Sequence, residues 1–411
     1  MPGSQKDGKR ILIYLLFVLF SCRFYQYILS KNIHKIPKHL AGIYIHIPFC
    51  RQACHYCNFH FATSLHYKND FMAALLKEIT LQRDYLKNEP VTTIYFGGGT
   101  PSLCTQQEVE SIIAALQSSF TITADAEITL EANPDDITEK KLTDWKEIGI
   151  NRLSIGIQSF FDEDLKWMNR AHTGQQAIDS LQMAVKHFNN ITLDLIYGTP
   201  QLTNEKWKKN VETSLSFKIP HLSCYALTVE PKTPLDKMIK QYKSESIDPD
   251  RQSEQFLLLM QWLEEAGYDH YEISNFSKSV SSTGKSALRS RHNSSYWQGK
   301  KYLGLGPSAH SFNETSRQWN VSNNLRYIES INKGIIPFEI ETLTESQKMN
   351  EYIMTSLRTM EGLQLDITGN EFIKRSQKFI DSGLIKLENN SLILTREGKL
   401  LADGITAELF I

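Results

Sequence analysis

The sequence predicts an α/β protein with a partial (βα)6 barrel and a smaller C-terminal α+β domain that resembles a winged helix. Three observations support this fold class. Short β-type runs alternate with amphipathic helical stretches from Gly42 onward, and about six such units are visible, fewer than the eight of a complete barrel. The chain also ends in two short apolar runs around an Asn-Asn-Ser turn.

Each predicted strand is a run rich in β-branched and aromatic residues, and each predicted helix has apolar residues spaced three and four apart. The strands are predicted at 42–47, 92–96, 127–131, 152–157, 191–196 and 222–227. The helices are predicted at 70–86, 109–116, 139–147, 175–188, 205–216 and 252–265. Because parallel strands need crossover connections, this alternation indicates a parallel sheet.

The chain divides into three predicted parts: an extension over 1–40, a barrel domain over 41–275 and a C-terminal domain over 276–411. A Ser-, Lys- and Gly-rich stretch at 277–290 reads as a loop between the last two. The apolar run at 11–20 follows three basic residues but is short of the roughly 20 residues that span a bilayer. This run has three interpretations: it is an export signal or anchor, an extension or mis-assigned start, or a packed helix.

Charge and cysteine content exclude two classes of protein. Forty-five Lys and Arg residues against 46 Asp and Glu residues give a formal net charge of −1. This balance excludes nucleic-acid binding by bulk positive charge, and we expect no nucleic-acid partner. Six cysteines in 411 residues cannot form a disulfide scaffold.

Three of the six cysteines lie within eight residues, in the loop after the first predicted strand. Cys50, Cys54 and Cys57 have the spacing C-x-x-x-C-x-x-C. Three thiolates can hold a four-iron cluster and leave one iron open to a small molecule. A zinc site and three unrelated thiols are the alternatives. The histidines near enough in sequence to complete a zinc site are His46, His55 and His60.

With the stretch Ile45–Cys50 before it and Gly97-Gly-Gly-Thr-Pro101 after it, this loop resembles the radical S-adenosylmethionine (radical SAM) superfamily. Within the superfamily the chain resembles the oxygen-independent coproporphyrinogen III oxidase branch, from about Gly42 to near the C-terminus. The resemblance implies one 4Fe–4S cluster, held by the three cysteines, and S-adenosylmethionine (SAM) on its open iron. It also implies reductive cleavage of SAM to a 5′-deoxyadenosyl radical.

The resemblance further implies which residues contact SAM. Most of them are polar residues or glycines near the C-terminal ends of predicted strands, where sites of barrel-like proteins form. Arg170 matches an arginine that approaches the SAM carboxylate. The other implied contacts are Tyr44, Gly98, Gly99, Thr100, Glu131, Gln158 and Asp194.

A second motif distinguishes this chain within the branch. The stretch from His292 to Trp297 reads H-N-x-x-Y-W and resembles the haem-binding signature of HemW-type haem chaperones. Imidazole is a good axial ligand for haem iron, and adjacent aromatic rings suit a flat macrocycle. His310 is a second ligand candidate. Coproporphyrinogen oxidases carry a further cysteine where this chain has Phe59, and residues 1–40 lack a counterpart of their substrate-binding arm.

The resemblance therefore implies a haem chaperone that binds haem, the cluster and SAM. We expect it to deliver haem to recipient haem proteins such as respiratory cytochromes, and to do so in the cytoplasm. An enzyme that decarboxylates a porphyrinogen and an RNA-binding radical SAM protein are the alternatives. Peripheral membrane association and a homodimer are left open, as are the recipient and whether SAM is cleaved productively.

Overall fold

The computed structural model describes residues 40–279 and 288–411. The predicted N-terminal extension, with its apolar run, lies outside these residues except for Leu40. Most of the loop predicted at 277–290 also lies outside them. The fold below is therefore that of the predicted barrel and C-terminal regions.

Six parallel strands form the centre of the protein. They are β1 (Ala41–Ile47), β2 (Val91–Gly98), β3 (Ile122–Ala132), β4 (Arg152–Gln158), β5 (Ile191–Tyr197) and β6 (His221–Ala226). Each pairs in parallel with the next in the order of the chain. The prediction of six parallel strands in a partial barrel is confirmed. Five of the predicted strands begin within one residue of the observed start, but β3 begins at Ile122, five residues before the predicted start.

Nine further strands complete two sheets. They are β7 (Tyr268–Glu272), β8 (Asn275–Lys278), β9 (Tyr302–Leu305), β10 (His310–Phe312), β11 (Ser316–Asn320), β12 (Phe338–Thr342), β13 (Leu363–Gln364), β14 (Ile385–Glu388) and β15 (Ser391–Leu394). The large sheet runs β12-β11-β10-β9-β1-β2-β3-β4-β5-β6-β8-β7, and the small one runs β13-β15-β14. Strand β9 pairs in parallel with β1, so the C-terminal region extends the barrel sheet on the side of the first strand.

The helices of the barrel region are α1 (Lys68–Leu81), α2 (Gln106–Ser119), α3 (Glu139–Glu147), α4 (Asp162–Trp167), α5 (Gly174–His187), α6 (Asn204–Ser216), α7 (Pro234–Lys240) and α8 (Pro249–Glu265). Capping residues explain where several begin. Thr105 and Glu108 form a capping box at the start of α2, and Thr173 and Gln176 form one at α5. The helix predicted over 70–86 ends at Leu81, and the turn that follows it still buries Leu86.

The helices of the C-terminal region are α9 (Arg291–Trp297), α10 (Asn324–Asn332), α11 (Glu345–Leu357), α12 (Leu365–Thr368), α13 (Glu371–Arg375), α14 (Gln377–Asp381), α15 (Arg396–Leu400) and α16 (Ala402–Leu409). Strands β14 and β15 turn at Asn389 and Asn390, both with positive φ, as the Asn-Asn-Ser signal predicts. Together with the short helices they form the small α+β unit of the predicted winged-helix type.

Two large apolar cores, with two small clusters beside them, stabilise these regions. The larger packs the six parallel strands against their helices and includes Leu303 and Leu305 of β9 and Tyr327 of α10. The smaller joins α11 to the β13-β15-β14 sheet and the last helices, from Met349 to Leu409. Strands β9–β12 belong to the large sheet although they follow residue 276. The predicted domain boundary at 275/276 stays a prediction.

Candidate functional site

The cysteine loop leaves β1 and is held by one backbone hydrogen bond at its start and by another within it. The amide of Cys50 donates to the carbonyl of Ala62 at 3.0 Å, and the amide of Cys57 donates to the carbonyl of Cys54 at 3.3 Å. The side-chain amide of Asn169 donates to the carbonyl of Ala53 at 2.7 Å, which ties the middle of the loop to the segment after α4. All three cysteines are partly exposed thiols with no disulfide.

Burial and neighbouring thiols alter the pKa of two of the three cysteines, Cys50 and Cys57. Burial raises the pKa of Cys57 to about 11, and the neighbouring Cys54 and Cys50 thiols raise it further against a backbone hydrogen bond at Phe59. Burial likewise raises the pKa of Cys50, with Cys54 again contributing. The thiolate is the form that binds a metal, and the positive charge of a bound cluster would offset these raised pKa values.

In the described residues, no three His, Cys, Asp or Glu side chains converge closely enough to hold a single metal ion. One tetrahedral zinc ion needs such convergence, whereas a four-iron cluster offers each thiolate a separate iron. Three thiolates would supply one ligand to each of three irons and leave the fourth iron open, so this donor set fits the cluster.

The glycine turn after β2 lies directly against the start of the cysteine loop. The amide of Gly99 donates to the carbonyl of Ile47 at 2.8 Å. A Cβ atom on Gly99 would lie 2.6 Å from the carbonyl oxygen of Phe49, and Gly98 has a φ of +106°. Side chains at these positions would push the turn away from the loop, so the sequence Gly-Gly at 98–99 is what allows the close approach.

Arg170 connects the cysteine loop to the strand ends. Its Nη1 donates to the sulfur of Cys54 at 3.4 Å. Its Nη2 donates to Oδ1 of Asn133 at 2.7 Å and to the carbonyl of Gly156 at 2.8 Å. The Nε–H is buried and has no partner in the described residues. A guanidinium with an unused, buried donor beside the cluster loop fits an anionic ligand such as a carboxylate.

Two carboxyl groups face each other across the barrel interior. Glu131 on β3 accepts a 2.8 Å hydrogen bond from the hydroxyl of Tyr95. Burial raises the pKa of Glu131 to about 7, and the nearby Asp194 of β5 raises it as well. Burial also raises the pKa of Asp194 to about 6. Both line a small polar cavity of about 50 Å³, which suits hydroxyl or amino groups of a ligand.

Gln158 lies at the end of β4 in an unusual backbone conformation. Its φ is +66°, which non-glycine residues seldom adopt, and its side chain is buried. The pairing of β4 with β5 shifts register between Gly156 and Gln158, so the bulge turns this residue at the strand end. Backbone strain of this kind concentrates at ligand sites.

Tyr44 and Thr100 lie at the same end of the barrel. The ring of Tyr44 stacks on that of Tyr95 with 6.1 Å between centroids. The hydroxyl of Thr100 accepts a hydrogen bond from the amide of Asn133 at 3.3 Å. The structure thus brings the sequence-predicted SAM contacts to one edge of the sheet. Sequence reasoning missed Asn133, which joins Thr100 to Arg170; its position just after β3 was the available signal.

His292 lies in a different environment from the one expected of an open metal ligand. It is 1% exposed, and both ring nitrogens are engaged: Nδ1 with Oγ1 of Thr93 at 2.8 Å and Nε2 with the hydroxyl of Tyr296 at 2.7 Å. Its ring stacks on Tyr95, with 5.0 Å between centroids. Burial lowers the pKa of His292 to about 3, so the imidazole is neutral. Iron could reach Nε2 only after the bond to Tyr296 broke.

A large cavity of about 1070 Å³ opens beside this motif. It lies between the end of the cysteine loop, strands β9–β11 and helix α11. His310 and Tyr296 line it, whereas His292 does not. No sequence pattern marked this cavity, because its walls come from four segments that are distant in the chain.

No helix within residues 40–279 and 288–411 is both long enough and apolar enough to cross a lipid bilayer.

Comparison with known proteins gives a consistent result. The family model described as "Radical SAM superfamily" matches residues 44–213. "Heme chaperone HemW" of Mycobacterium tuberculosis (strain CDC 1551 / Oshkosh) is 30% identical over 380 residues, which cover 91% of this chain and 96% of that protein. The protein of the same name from Bacillus subtilis (strain 168) is 30% identical over 382 residues, covering 89% and 98%.

One solved structure resembles the fold over nearly its full length. It is the coproporphyrinogen III oxidase (HemN) of Escherichia coli, described as a radical SAM enzyme, with a TM-score of 0.76. The match covers 94% of this chain and 92% of that one at 21% sequence identity. At this identity the likeness shows a shared fold.

Proposed function

We propose, because this chain belongs to the HemW family within the radical SAM superfamily, that it is a haem chaperone that binds haem and transfers it to haem proteins. A 4Fe–4S cluster and SAM are its cofactors. When bound, the cluster supplies an electron to the sulfonium of SAM.

The observation that carries the proposal is the contact between the haem motif and the cofactor strands. Helix α9, with the H-N-x-x-Y-W motif, packs on β1 and β2, the strands that lead into the cysteine loop and the glycine turn. His292 stacks on Tyr44 and Tyr95 with 6.5 and 5.0 Å between ring centroids. The haem motif and the cofactor site therefore form one continuous part of the molecule.

For the cofactors, we propose that Cys50, Cys54 and Cys57 hold the cluster. The partly exposed thiols, the effect of Cys54 on the pKa values of Cys50 and Cys57, and the adjacent glycine turn support this role. The unused Nε–H of Arg170 supports its role toward the SAM carboxylate. We propose that the remaining predicted contacts bind the rest of SAM; they are Tyr44, Gly98, Gly99, Thr100, Glu131, Gln158 and Asp194.

The role of His292 as an axial haem ligand stays a prediction, and it requires a local rearrangement. The imidazole is neutral, which is the form that binds iron, but both nitrogens are occupied. Haem binding through Nε2 requires Tyr296 to leave. The same geometry supports a positioning role, in which His292 orients the Tyr296 ring at the cavity wall.

We further propose respiratory cytochromes as recipients of the haem, and a reducing compartment such as the cytoplasm as the site of action. The five thiols of the described residues, none in a disulfide, support the second point. Charge on the described surface is mixed, with acidic and basic side chains paired at many positions, which gives no support to RNA binding.

The proposal is tested by anaerobic reconstitution of the full chain followed by three assays. We expect a Soret band on titration with haem, movement of that haem to an apo-cytochrome, and no carbon dioxide from coproporphyrinogen. Cys54→Ala is a suitable variant for asking whether transfer needs the cluster, and Cys104→Ala is the matched control. Decarboxylation with release of 5′-deoxyadenosine, together with failure to bind haem, would establish the enzyme instead.

A further inference from the structure

The 1070 Å³ cavity is not used by the cluster or by most of the residues assigned to SAM. Its volume lies at the upper end of the roughly 300–1,000 Å³ that small-molecule sites occupy, so it can admit a large ligand. Its walls are formed by residues within 58–60, 296–302, 308–317 and 345–355. Tyr44 and His46 of β1 close it on the side of the barrel.

One wall is made by strands β9–β11. Phe312 pairs with Tyr302 on one side and with Arg317 on the other, and His310 pairs with Trp319. Because side chains alternate along a strand, His310 and Phe312 point to the same face as their partners. Phe312 and Tyr302 are buried against Leu343. The rings of Tyr302 and Phe312 are 6.2 Å apart between centroids and tilted by 39°, and both line the cavity, where they offer apolar surface to a macrocycle.

His310 differs from His292 in the properties that matter for binding iron. It is exposed to the cavity, and its ring nitrogens make no hydrogen bond in the described residues. It stacks on Trp319 with 6.0 Å between ring centroids, which fixes the plane of the imidazole. Burial and then the adjacent Arg317 lower the pKa of His310, so it is neutral at physiological pH. A neutral, oriented and unbonded imidazole is ready to ligate.

The basic residues of the cavity differ in whether they form ion pairs. Lys301, Arg317 and Lys348 each form ion pairs, with Glu89, Glu351 and Glu345 respectively. Lys300 lines the same cavity, is partly buried, and has no carboxylate within ion-pair distance in the described residues. Burial and the nearby Arg291 lower its pKa. A half-buried ammonium without a counter-ion is a site for an anionic group of a ligand.

Helix α11 forms the opposite wall of the cavity and contributes flexible apolar side chains. Met349 and Met354 line the cavity, and Met354 is 42% exposed. Phe59, which follows the cysteine loop, lines the cavity too and is 66% exposed. An exposed phenylalanine and an exposed methionine at one opening indicate a site that an apolar ligand covers.

From these observations we propose that haem binds in this cavity, with His310 as an axial ligand of the iron and Lys300 paired to a propionate. The inference rests on the proposed function and deepens it by naming where the haem lies. The rings of Tyr302 and Phe312 pack on the macrocycle. In this arrangement His292 is a positioning residue, which holds the Tyr296 ring at the edge of the cavity without contacting the iron.

The experiment is a haem titration of the reconstituted full chain and of three histidine-to-glycine variants. Loss of an outer-shell partner alone costs roughly 10–100-fold in metal affinity, so His310→Gly should weaken haem binding at least about tenfold. It should also change the axial-ligand signature in electron paramagnetic resonance and resonance Raman spectra. Added imidazole should restore that signature. His66→Gly, on the exposed surface, is the matched control and should behave as the wild type does.

Each result has a separate meaning. Unchanged affinity and spectrum in His310→Gly, with loss of both in His292→Gly, would overturn this inference and leave the haem chaperone intact. Failure of the wild type to bind haem would overturn the proposed function as well. Lys300→Gln should weaken binding by roughly 2–5-fold and leave the ligand spectrum unchanged. Iron content of the cluster, measured on every variant, shows that the barrel is folded.

Discussion

The Nε2 atom of His292 lies 2.7 Å from the hydroxyl of Tyr296, one helical turn further along α9. The same ring is held at Nδ1 by Thr93 of β2, at 2.8 Å. The pair therefore links the barrel sheet to the wall of the large cavity. Because histidine and tyrosine four residues apart face the same side of a helix, the spacing in H-N-x-x-Y-W is what the contact requires.

Removing the tyrosine hydroxyl tests that link. Tyr296→Phe leaves Nε2 of His292 buried without a partner, and we expect the free energy of unfolding to fall by about 1–3 kcal/mol. Urea denaturation measures it, with the fully exposed Tyr242→Phe as control. Haem affinity should not increase. A marked gain in affinity would mean that the hydroxyl competes with iron for Nε2, and that His292 is the ligand.

If Cys50, Cys54 and Cys57 hold the cluster, the five cysteines of the described residues should differ in whether their substitution removes iron. Iron and sulfide analysis after anaerobic reconstitution should give about four irons per chain. Replacing Cys50, Cys54 or Cys57 by alanine should remove most of that iron and the binding of SAM with it. Cys104 and Cys224 are buried, and Cys104→Ala should retain the iron. Equal loss in Cys104→Ala would mean that the thiols outside the loop contribute.

Arg170 should be sensitive to a substitution that keeps its charge. Lysine cannot donate at once toward Cys54, Asn133 and a ligand, because it lacks the planar fork of the guanidinium. Hydrogen bonds to charged groups contribute about 1.5–3 kcal/mol, so Arg170→Lys should weaken SAM binding roughly 10–100-fold. Equilibrium dialysis of the reconstituted protein measures this.

Arg51 provides the control for that comparison. It lies in the same loop but pairs with Asp136, at 2.7 Å. Arg51→Lys should therefore bind SAM nearly as the wild type does. If Arg51→Lys loses SAM binding and Arg170→Lys retains it, the proposed role belongs to the wrong arginine.

The sequence predicted the parallel strands well because their information is local. Runs such as Ile191–Tyr197 are rich in β-branched and aromatic residues, and capping residues such as Thr105 mark the helices between them. Pairing of β9 with β1 was not predictable in this way. The four residues Tyr302–Leu305 carry too short a pattern, and their partner lies about 260 positions earlier in the chain.

Side-chain types at the site were predictable, but their accessibility was not. The H-N-x-x-Y-W motif identified His292 as a metal-ligand type, and only the fold shows that Thr93 and Tyr296 occupy its nitrogens. Gln158 matched a cofactor contact by its place at a strand end, but its positive φ follows from the register shift between β4 and β5. Such features depend on contacts between segments far apart in sequence.

Glu78 shows how strongly the C-terminal region is joined to the barrel helices. Its carboxylate is fully buried and accepts hydrogen bonds from the amide of Gly306 at 2.8 Å, from Asn320 at 2.6 Å and from Tyr327 at 2.6 Å. Glu78→Ala removes the acceptor of three buried donors, of which only the Asn320 amide keeps another, the carbonyl of Gly306. We expect a loss of about 3 kcal/mol or more in the free energy of unfolding.

Glu110 on helix α2 is an exposed glutamate and provides the control for that substitution. Glu110→Ala should change stability by less than about 0.5 kcal/mol. Thermal denaturation compares the two. If Glu78→Ala unfolded like Glu110→Ala, the three hydrogen bonds would contribute nothing to joining α1 to the turn after β9, to β11 and to α10.

The raised pKa of Glu131 predicts that the protein without cofactors loses stability as pH rises. Burial lifts this pKa from 4.5 to about 7, so between these values the folded chain keeps a proton that the unfolded chain releases. Stability is therefore full below about pH 4.5 and is lost as pH rises through about 7. Glu131→Gln stays uncharged at every pH. Since Glu131 is only partly buried, we expect the variant to be more stable than the wild type at pH 8 by about 1–2 kcal/mol.

The comparison is made by urea denaturation at pH 5 and pH 8, with the exposed Glu147→Gln as control. The control should follow the wild type at both values. Asp194, with a pKa raised to about 6, should leave a smaller pH dependence of the same sign in Glu131→Gln. If the stability of Glu131→Gln fell between pH 5 and pH 8 as steeply as that of the wild type, Glu131 would be ionised in the folded wild-type chain. Glu131 would then be a charged acceptor beside Tyr95, because a carboxylate can only accept the hydrogen bond that the tyrosine donates.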